Sequence, residues 1–235
     1  MAGFILLKRK PLVIVGGRPT YVGSTAASMN ASGNLTLTLP GGMQQNDLVV
    51  ITTGFSNTVD GDPGVSTAGY TEVADIFGND SQKSNMSVCY KFMGSTPDTT
   101  ATCLGSQSSV LSTVAICQVW RGVNTTTPMD VTAVTATGIN GAVADAPAIT
   151  PTTSLAVVLA CMLGTRPAST VETPTGPANM TNFVNRGHGA ASHSAFVCMA
   201  SYDWTSGAFD PDPLTTVAAG TSASWSAVTL ALRPA

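Results

Sequence analysis

The side chains that could do chemistry are few and scattered. There are two histidines, His188 and His193, five apart in the stretch NRGHGAASHS. A serine hydrolase needs a serine activated by histidine, usually on a strained turn, and no G-x-S-x-G occurs in the chain. The Gly, Ala and Ser around the two histidines predict a loop, with no helix to align them on a metal. Carboxylates come in two close pairs, Asp60 with Asp62 and Asp210 with Asp212. Such pairs serve glycoside hydrolysis. Each pair here neighbours Pro or Gly, however, and aspartate favours tight turns for its own backbone hydrogen bonds. Asp60-Gly61-Asp62-Pro63-Gly64 is like the start of a calcium loop, but position twelve, where an EF-hand needs Glu, is Thr71. Tyr202 and Trp204, with Asp210 and Asp212 nearby, form a candidate ligand loop: aromatic faces stack on sugar rings, and carboxylates accept from hydroxyls. The competing reading is packing, because residues i and i+2 of a strand share a face. No residue is given a catalytic or metal-binding role, no cofactor is expected, and the chain is read as a non-enzyme.

Five cysteines, Cys89, Cys103, Cys117, Cys161 and Cys198, contain no C-x-x-C pair. Four of them sit inside apolar runs that look like strands, which predicts buried free thiols. A disulfide between adjacent strands or neighbouring subunits is the alternative. Trp120 and Trp225 fall in core strands and are expected to be structural. Arg121 and Arg233 end two similar strands, where a solvated strand end or an ion pair to a loop aspartate is expected, with a subunit contact as the alternative.

The elements that must position these residues are β-strands. Only 10% of the 235 residues are charged, and Gly, Ser, Thr and Ala are abundant. That composition suits short strands and turns. So little charge also suits a surface that lives against neighbours. With net charge −3 and no basic run in the body, a nucleic-acid surface is not expected. No apolar run approaches the length of a membrane span, and the N-terminal stretch is a poor signal peptide.

The organising segment is Leu111–Val123, a buried strand, and Ser224–Ala235 echoes it. Leu35, Leu37 and Leu39 alternate with threonines as a half-buried strand, and Leu48–Thr53 is apolar throughout. A long loop at about 55–68 precedes further strands at Tyr70–Ile76, Ser87–Met93, Thr99–Leu104 and Val110–Trp120, and the Thr- and Ala-rich connection from Asn124 to Gly141 is expected to hold one or two edge strands (Met129–Val134). The second half repeats the order: Leu155–Leu163, Asn179–Val184, Ala195–Tyr202, Leu214–Ala218 and Ser224–Leu232. Leu48-Val49-Val50 lines up with Leu155-Ala156-Val157 at an offset of 107, Val88-Cys89 with Val197-Cys198 at 109, and Trp120-Arg121 with Leu232-Arg233 at 112. The expected fold class is all-β: a jelly-roll-like β-sandwich of two pseudo-repeated halves, about 35–123 and 147–235, with an extended N-terminal arm.

The arm stands apart. Residues 1–46 contain no acid but hold four of the ten basic residues. Phe4, Ile5, Leu6 and Leu7 form one apolar patch, and Leu12, Val13, Ile14 and Val15 another. Lys8, Arg9 and Lys10 lie between them. Residues 1–24 are read as a docking arm and linker (a polar linker running to about 34) and 25–235 as the sandwich. Extended apolar segments of this kind add to exposed sheet edges. The arm would dock on its own body or on a partner; a plain first strand of the domain is the other reading.

The order Leu35-Thr-Leu-Thr-Leu-Pro40, Asp47-Leu-Val-Val50, Gly69-Tyr-Thr71, Val88-Cys-Tyr-Lys91, Val119-Trp-Arg-Gly-Val123 and Leu230-Ala-Leu-Arg-Pro234 resembles a β-sandwich family of tailed-phage virion proteins. The resemblance spans about 35–235, with Trp120 where the family has Tyr and Tyr70 where it has Trp. It implies a structural module of the virion (capsid decoration, neck, tail or fibre) whose partners are other virion proteins and copies of itself. It supplies no catalytic residues. The alternative function is a carbohydrate-binding module for a host-surface glycan. No nucleic-acid partner and no membrane insertion are expected.

Overall fold

The computed structural model describes residues 16–29, 33–79, 83–105, 112–139, 144–166, 173–190, 193–214 and 224–235. Every regular element among them is a strand. The first half holds β1 (Thr20–Met29), β2 (Leu35–Thr38), β3 (Leu48–Asn57), β4 (Gly64–Val65), β5 (Thr71–Gly78), β6 (Lys83–Phe92), β7 (Thr100–Leu104) and β8 (Ser112–Arg121). The second holds β9 (Val134–Gly138), β10 (Val157–Arg166), β11 (Thr181–Ala190), β12 (His193–Asp203) and β13 (Ser224–Leu232).

Each half makes one five-stranded antiparallel sheet, in the orders β1-β8-β3-β6-β5 and β11-β12-β10-β13-β9. The two sheets pack face to face as a sandwich. The chain finishes one sheet before it begins the other, so the connectivity does not wind between sheets at each strand. The two orders match strand for strand when β1 is set on β9, β8 on β13, β3 on β10, β6 on β12 and β5 on β11. The contacts between sheets obey the same exchange: β1 lies over β11 and β5 over β9, β8 meets β12 and β6 meets β13, while β3 meets β10. That is the contact pattern of an isologous pair with a two-fold axis between the central strands.

When the halves are compared by ladder position, Leu48 moves by two residues from its expected match while Trp120 keeps Leu232. Leu48 faces Phe92 and Trp120, and Val157 faces Asp203 and Leu232. Val157, not Leu155, therefore stands where Leu48 stands. A slip of two keeps every side chain on its own face, so apolar alternation alone does not resolve it.

Because each sheet is apolar on both faces, the molecule has more than one core. Between the sheets lie Leu48, Val50, Met86, Val88, Ile116, Trp120, Leu159, Leu163, Met199 and Leu230, all nearly fully buried. Over the outer face of the first sheet, the small sheet β2-β7-β4 buries Leu35, Leu37, Ile51, Ala101, Cys103 and Cys117. Over the outer face of the second, the segments 144–149 and 209–214 do the same work through an Ile149–Phe209 bridge and a Leu214 N–H bond to the Ala144 carbonyl. They seal Met162, Cys198, Val158 and Ala231 beneath them. This explains why β3, β8, β10 and β13 read as continuous apolar runs and not as alternations.

Three expectations need correction. The polar stretch read as linker, 21–34, contributes Thr20–Met29 to the first sheet, so a body starting at residue 25 would begin inside β1. Small Ser, Thr and Ala side chains gave it no apolar period, but its backbone pairs with β8 at nine of its ten residues, Val22 being the bulge. The loop expected at 55–68 is shorter, because Phe55–Asn57 continue β3 and Gly64–Val65 pair with β7. Met129–Val134, expected as an edge strand, supplies only a Met129–Leu232 bridge before β9 begins at Val134.

Candidate functional site

The arm patches, Phe4–Leu7, Lys8–Lys10 and Leu12–Val15, lie outside the described residues. The root of the arm is described, and it is fixed. Gly16 sits so close to the C-terminal Ala235 that a Cβ would fall 1.6 Å from its carbonyl oxygen. The Arg18 guanidinium donates to the Ala156 carbonyl at 2.8 Å and the Trp204 carbonyl at 3.0 Å, both on the second half. It also lies 3.8 Å from the Asp203 carboxylate. The chain thus enters the first sheet while gripping the second, at the end of the sandwich where its own C-terminus lies.

The same end carries the two paired arginines. Arg121 gives a bidentate pair to Asp47, Nε to Oδ1 and Nη2 to Oδ2, each at 2.8 Å. Asp47 is 1% exposed and also accepts the Gln44 N–H at 2.7 Å. Arg233 donates through Nε to Asp130 at 3.2 Å. The Asp130 side chain is wholly buried and also accepts from the backbone N–H groups of Thr152 and Thr153. Burial works to raise the Asp130 carboxyl, but bonds from Thr153 and Thr152 outweigh it and hold the group below the usual carboxylate range. The expectation of a loop aspartate for each arginine matches this geometry. These pairs tie connecting loops to strand ends, since Asp130 lies between the halves and Arg233 near the C-terminus.

The candidate ligand loop comes apart. Trp204 is buried among Ile149, Ala156, Val158 and Phe209, and its indole N–H bonds to the Gly207 carbonyl. The half-buried Tyr202 ring is stacked on Phe209 at 3.8 Å with an interplanar angle of 2°. Both aromatics are therefore packing for the outer layer of the second sheet. Asp210 and Asp212 are exposed, and their backbone groups bond to Asn179, which holds the turn. Asp60 and Asp62 sit over the other outer face, so the two loops do not converge on one sugar site.

His188 and His193 lie on a hairpin, not in a loop: His188 is in β11 and faces Ala195, while His193 opens β12 and faces Ala190. Burial disfavours the charged form of both, and Arg186 adds to this at His188. Among the described residues, no three His, Cys, Asp or Glu side chains are placed to hold a metal. All five cysteines are buried and free. Burial pushes the Cys103 and Cys161 thiols up to about 12, which removes the thiolate needed for reactivity. Trp120 and Trp225 are structural: Trp120 meets Tyr21 edge-on at 5.5 Å, and Trp225 covers Gly138.

Sequence reasoning missed one cluster. Asp60 and Asp62 join Asp75 around a cleft of about 400 Å³, and Glu72 lies on the same strand as Asp75. Partial burial, then the charges of Glu72, Asp62 and Asp60, push the Asp75 carboxyl up to about 6. Only the ladder β5–β6 brings these residues beside the 58–63 turn, and no spacing in the sequence shows it. No protein-family model, no curated protein and no solved structure matches this chain.

Proposed function

We propose that the chain is a non-enzymatic structural component of a tailed-phage virion, as a capsid-decoration, neck, tail or fibre module anchored by its N-terminal arm. The observation that carries this reading is the arm's root. Gly16 and Ala235 meet at one end of the sandwich, and Arg18 holds the departing segment on the second half. A tether needs such a fixed origin. The apolar faces of the sheets are already covered by β2-β7-β4 and by segments 144–149 and 209–214, so the body spends its hydrophobic surface on itself. Apolar docking then falls to Phe4–Leu7 and Leu12–Val15, each side chain contributing about 1.5–3 kcal/mol before ordering costs. Many copies on one particle would multiply weak contacts. Burial of Trp204 and stacking of Tyr202 count against the glycan-binding alternative, which loses its aromatic shelf.

The test is whether the chain is part of a particle. Density-banded virions from the source of the coding sequence are digested and quantified by mass spectrometry. Stoichiometric, salt-resistant recovery of this chain supports the proposal, and its absence from banded particles overturns it.

A further inference from the structure

Four strand edges bound the sandwich, and three are guarded. β5 and β11 each carry a register irregularity and charged or ionisable side chains, Glu72 and Asp75 on one and Arg186 and His188 on the other. Such devices discourage strand pairing. β1 is clasped from outside its own sheet: Thr25 Oγ1 donates to the Thr38 carbonyl, and Arg186 Nε donates to Ser28 Oγ at 2.9 Å. β9 has none of these. Its five residues VTATG contain no charge and no proline, and its register with β13 is unbroken. Among the described residues no strand pairs with its outer edge. Val134 is 37% exposed there, and Ile139 just beyond it is 48% exposed.

That open edge has an acidic neighbour. β5 packs over β9, so the edge strand with Glu72 and Asp75 lies on the same side of the sandwich. Asp60 and Asp62 line the cleft with Asp75, and all four carboxylates are exposed. The ion pairs of the described residues belong to other acids, Asp47, Asp98, Asp130 and Asp203. This side therefore offers an uncharged strand edge with two exposed apolar side chains and, across the sandwich on the outer face of the sheet that β5 edges, an acidic patch with no ion-pair partner among the described residues. The segment 1–15 has the complementary set: two four-residue apolar patches of good strand formers and a basic triplet between them. Fifteen residues span up to about 50 Å when extended, enough to pass from Gly16 onto a neighbouring molecule.

We propose that the β9 edge is the receptor for the N-terminal arm of a second copy of this chain. One apolar patch adds alongside Val134–Gly138 by main-chain pairing, and Lys8, Arg9 and Lys10 face the Asp60, Asp62, Glu72 and Asp75 carboxylates. The contact is heterologous: the arm of one copy enters the edge of the next, which builds rings or filaments. This rests on the reading of the arm as an anchor and names what it holds.

The experiment uses the full chain with a benzophenone amino acid at Thr135, mixed with isotopically heavy chain lacking the probe. The expected result is a light–heavy cross-link from position 135 to a peptide within residues 4–15, alongside concentration-dependent assembly in the ultracentrifuge. Reversing the triplet (Lys8→Glu, Arg9→Glu, Lys10→Glu) should weaken assembly at least about tenfold and do so less at high salt. Neutralising the acids (Asp60→Asn, Asp62→Asn, Asp75→Asn) should weaken it in the same way. Light–light cross-links alone would mean that the arm pairs with its own body, which overturns the proposal. Assembly that is indifferent to both charge sets, with no cross-link at position 135, also overturns it. In that case an arm that still retains the chain on banded particles leaves the anchor reading standing. A full chain that stays monomeric and is missing from particles ends both.

Discussion

Removing the Asp130 carboxylate tests the claim that the Asp130–Arg233 pair ties the connection between the halves to the strand ends of the second half. The side chain is wholly buried and accepts from Thr152 N at 2.5 Å, Thr152 Oγ1 at 3.2 Å, Thr153 N at 3.0 Å and Arg233 Nε at 3.2 Å. Asp130→Ala leaves two backbone donors without their acceptor, at about 1–3 kcal/mol each. The Arg233 side chain is 33% exposed, so water takes up part of its charge and the full cost of breaking a buried pair is not reached. The expected loss is about 3 kcal/mol, or a fall in Tm of about 6–12 °C for a chain of this size. Urea denaturation at pH 7 should show a lower midpoint with an unchanged slope. The effect should also depend on pH. Because the folded-state carboxyl lies below its unfolded value of about 4, the stabilisation is present above that pH and lost as pH falls through the folded value. The gap between wild type and Asp130→Ala should therefore close in acid. A gap below about 1 kcal/mol at pH 7, or one that widens in acid, would refute the reasoning.

Other perturbations read other parts of the body. Gly54→Ala should cost about 3 kcal/mol or more, because a Cβ there would lie 2.2 Å from the Asn85 carbonyl oxygen and 2.6 Å from Leu163 Cδ1 across the sandwich; chemical denaturation measures it. Trp204→Ala should cost about 3–5 kcal/mol as a buried aromatic, whereas a surface ligand shelf would leave Tm unchanged. In a thiol titration with an aromatic disulfide at pH 8, none of the five cysteines should react in the native protein and all five should react in denaturant. Asp75→Asn should stabilise the protein at pH 7. The folded-state carboxyl, pushed up to about 6, is penalised when charged, and wild type recovers that penalty as pH falls through 6. Asp75 is exposed, so the gain should stay below about 1 kcal/mol, and a destabilised variant would count against the repulsion argument.

What was legible in the sequence was whatever burial writes into a run of residues. β13 was read with its observed bounds, Ser224–Leu232, because it is apolar and ends at an arginine. β2 showed its in–out alternation through Leu35 and Leu37. β1 was lost because an edge strand of Ser, Thr and Ala keeps its fold through backbone pairing, which leaves no apolar period behind. The aromatic pair Tyr202 and Trp204 was ambiguous for a related reason. Its role depends on whether another layer covers it, and the cover, Ile149 with Phe209, comes from segments too short to read as strands. The acidic cluster was illegible altogether, since Asp60 and Asp75 meet only through the pairing of β5 with β6.

The two-fold arrangement of the sheets sharpens the case for a directional assembly. If the halves were equivalent in every respect, any edge open to a partner on one side would be open on the other. β1 and β9 occupy the same place in their sheets, yet β1 is clasped by Thr38 and Arg186 while the outer edge of β9 pairs with no strand among the described residues. The residues preceding β1 run into the arm, rooted by Arg18 on the second sheet. Those preceding β9 are the connection 122–133, held by Asp130. The symmetry is thus broken at one pair of equivalent strands, and the proposed contact would use the segment leading into one as donor and the edge of the other as acceptor. If the proposed contact forms, the subunit has a head and a tail, and a contact between them propagates in one direction.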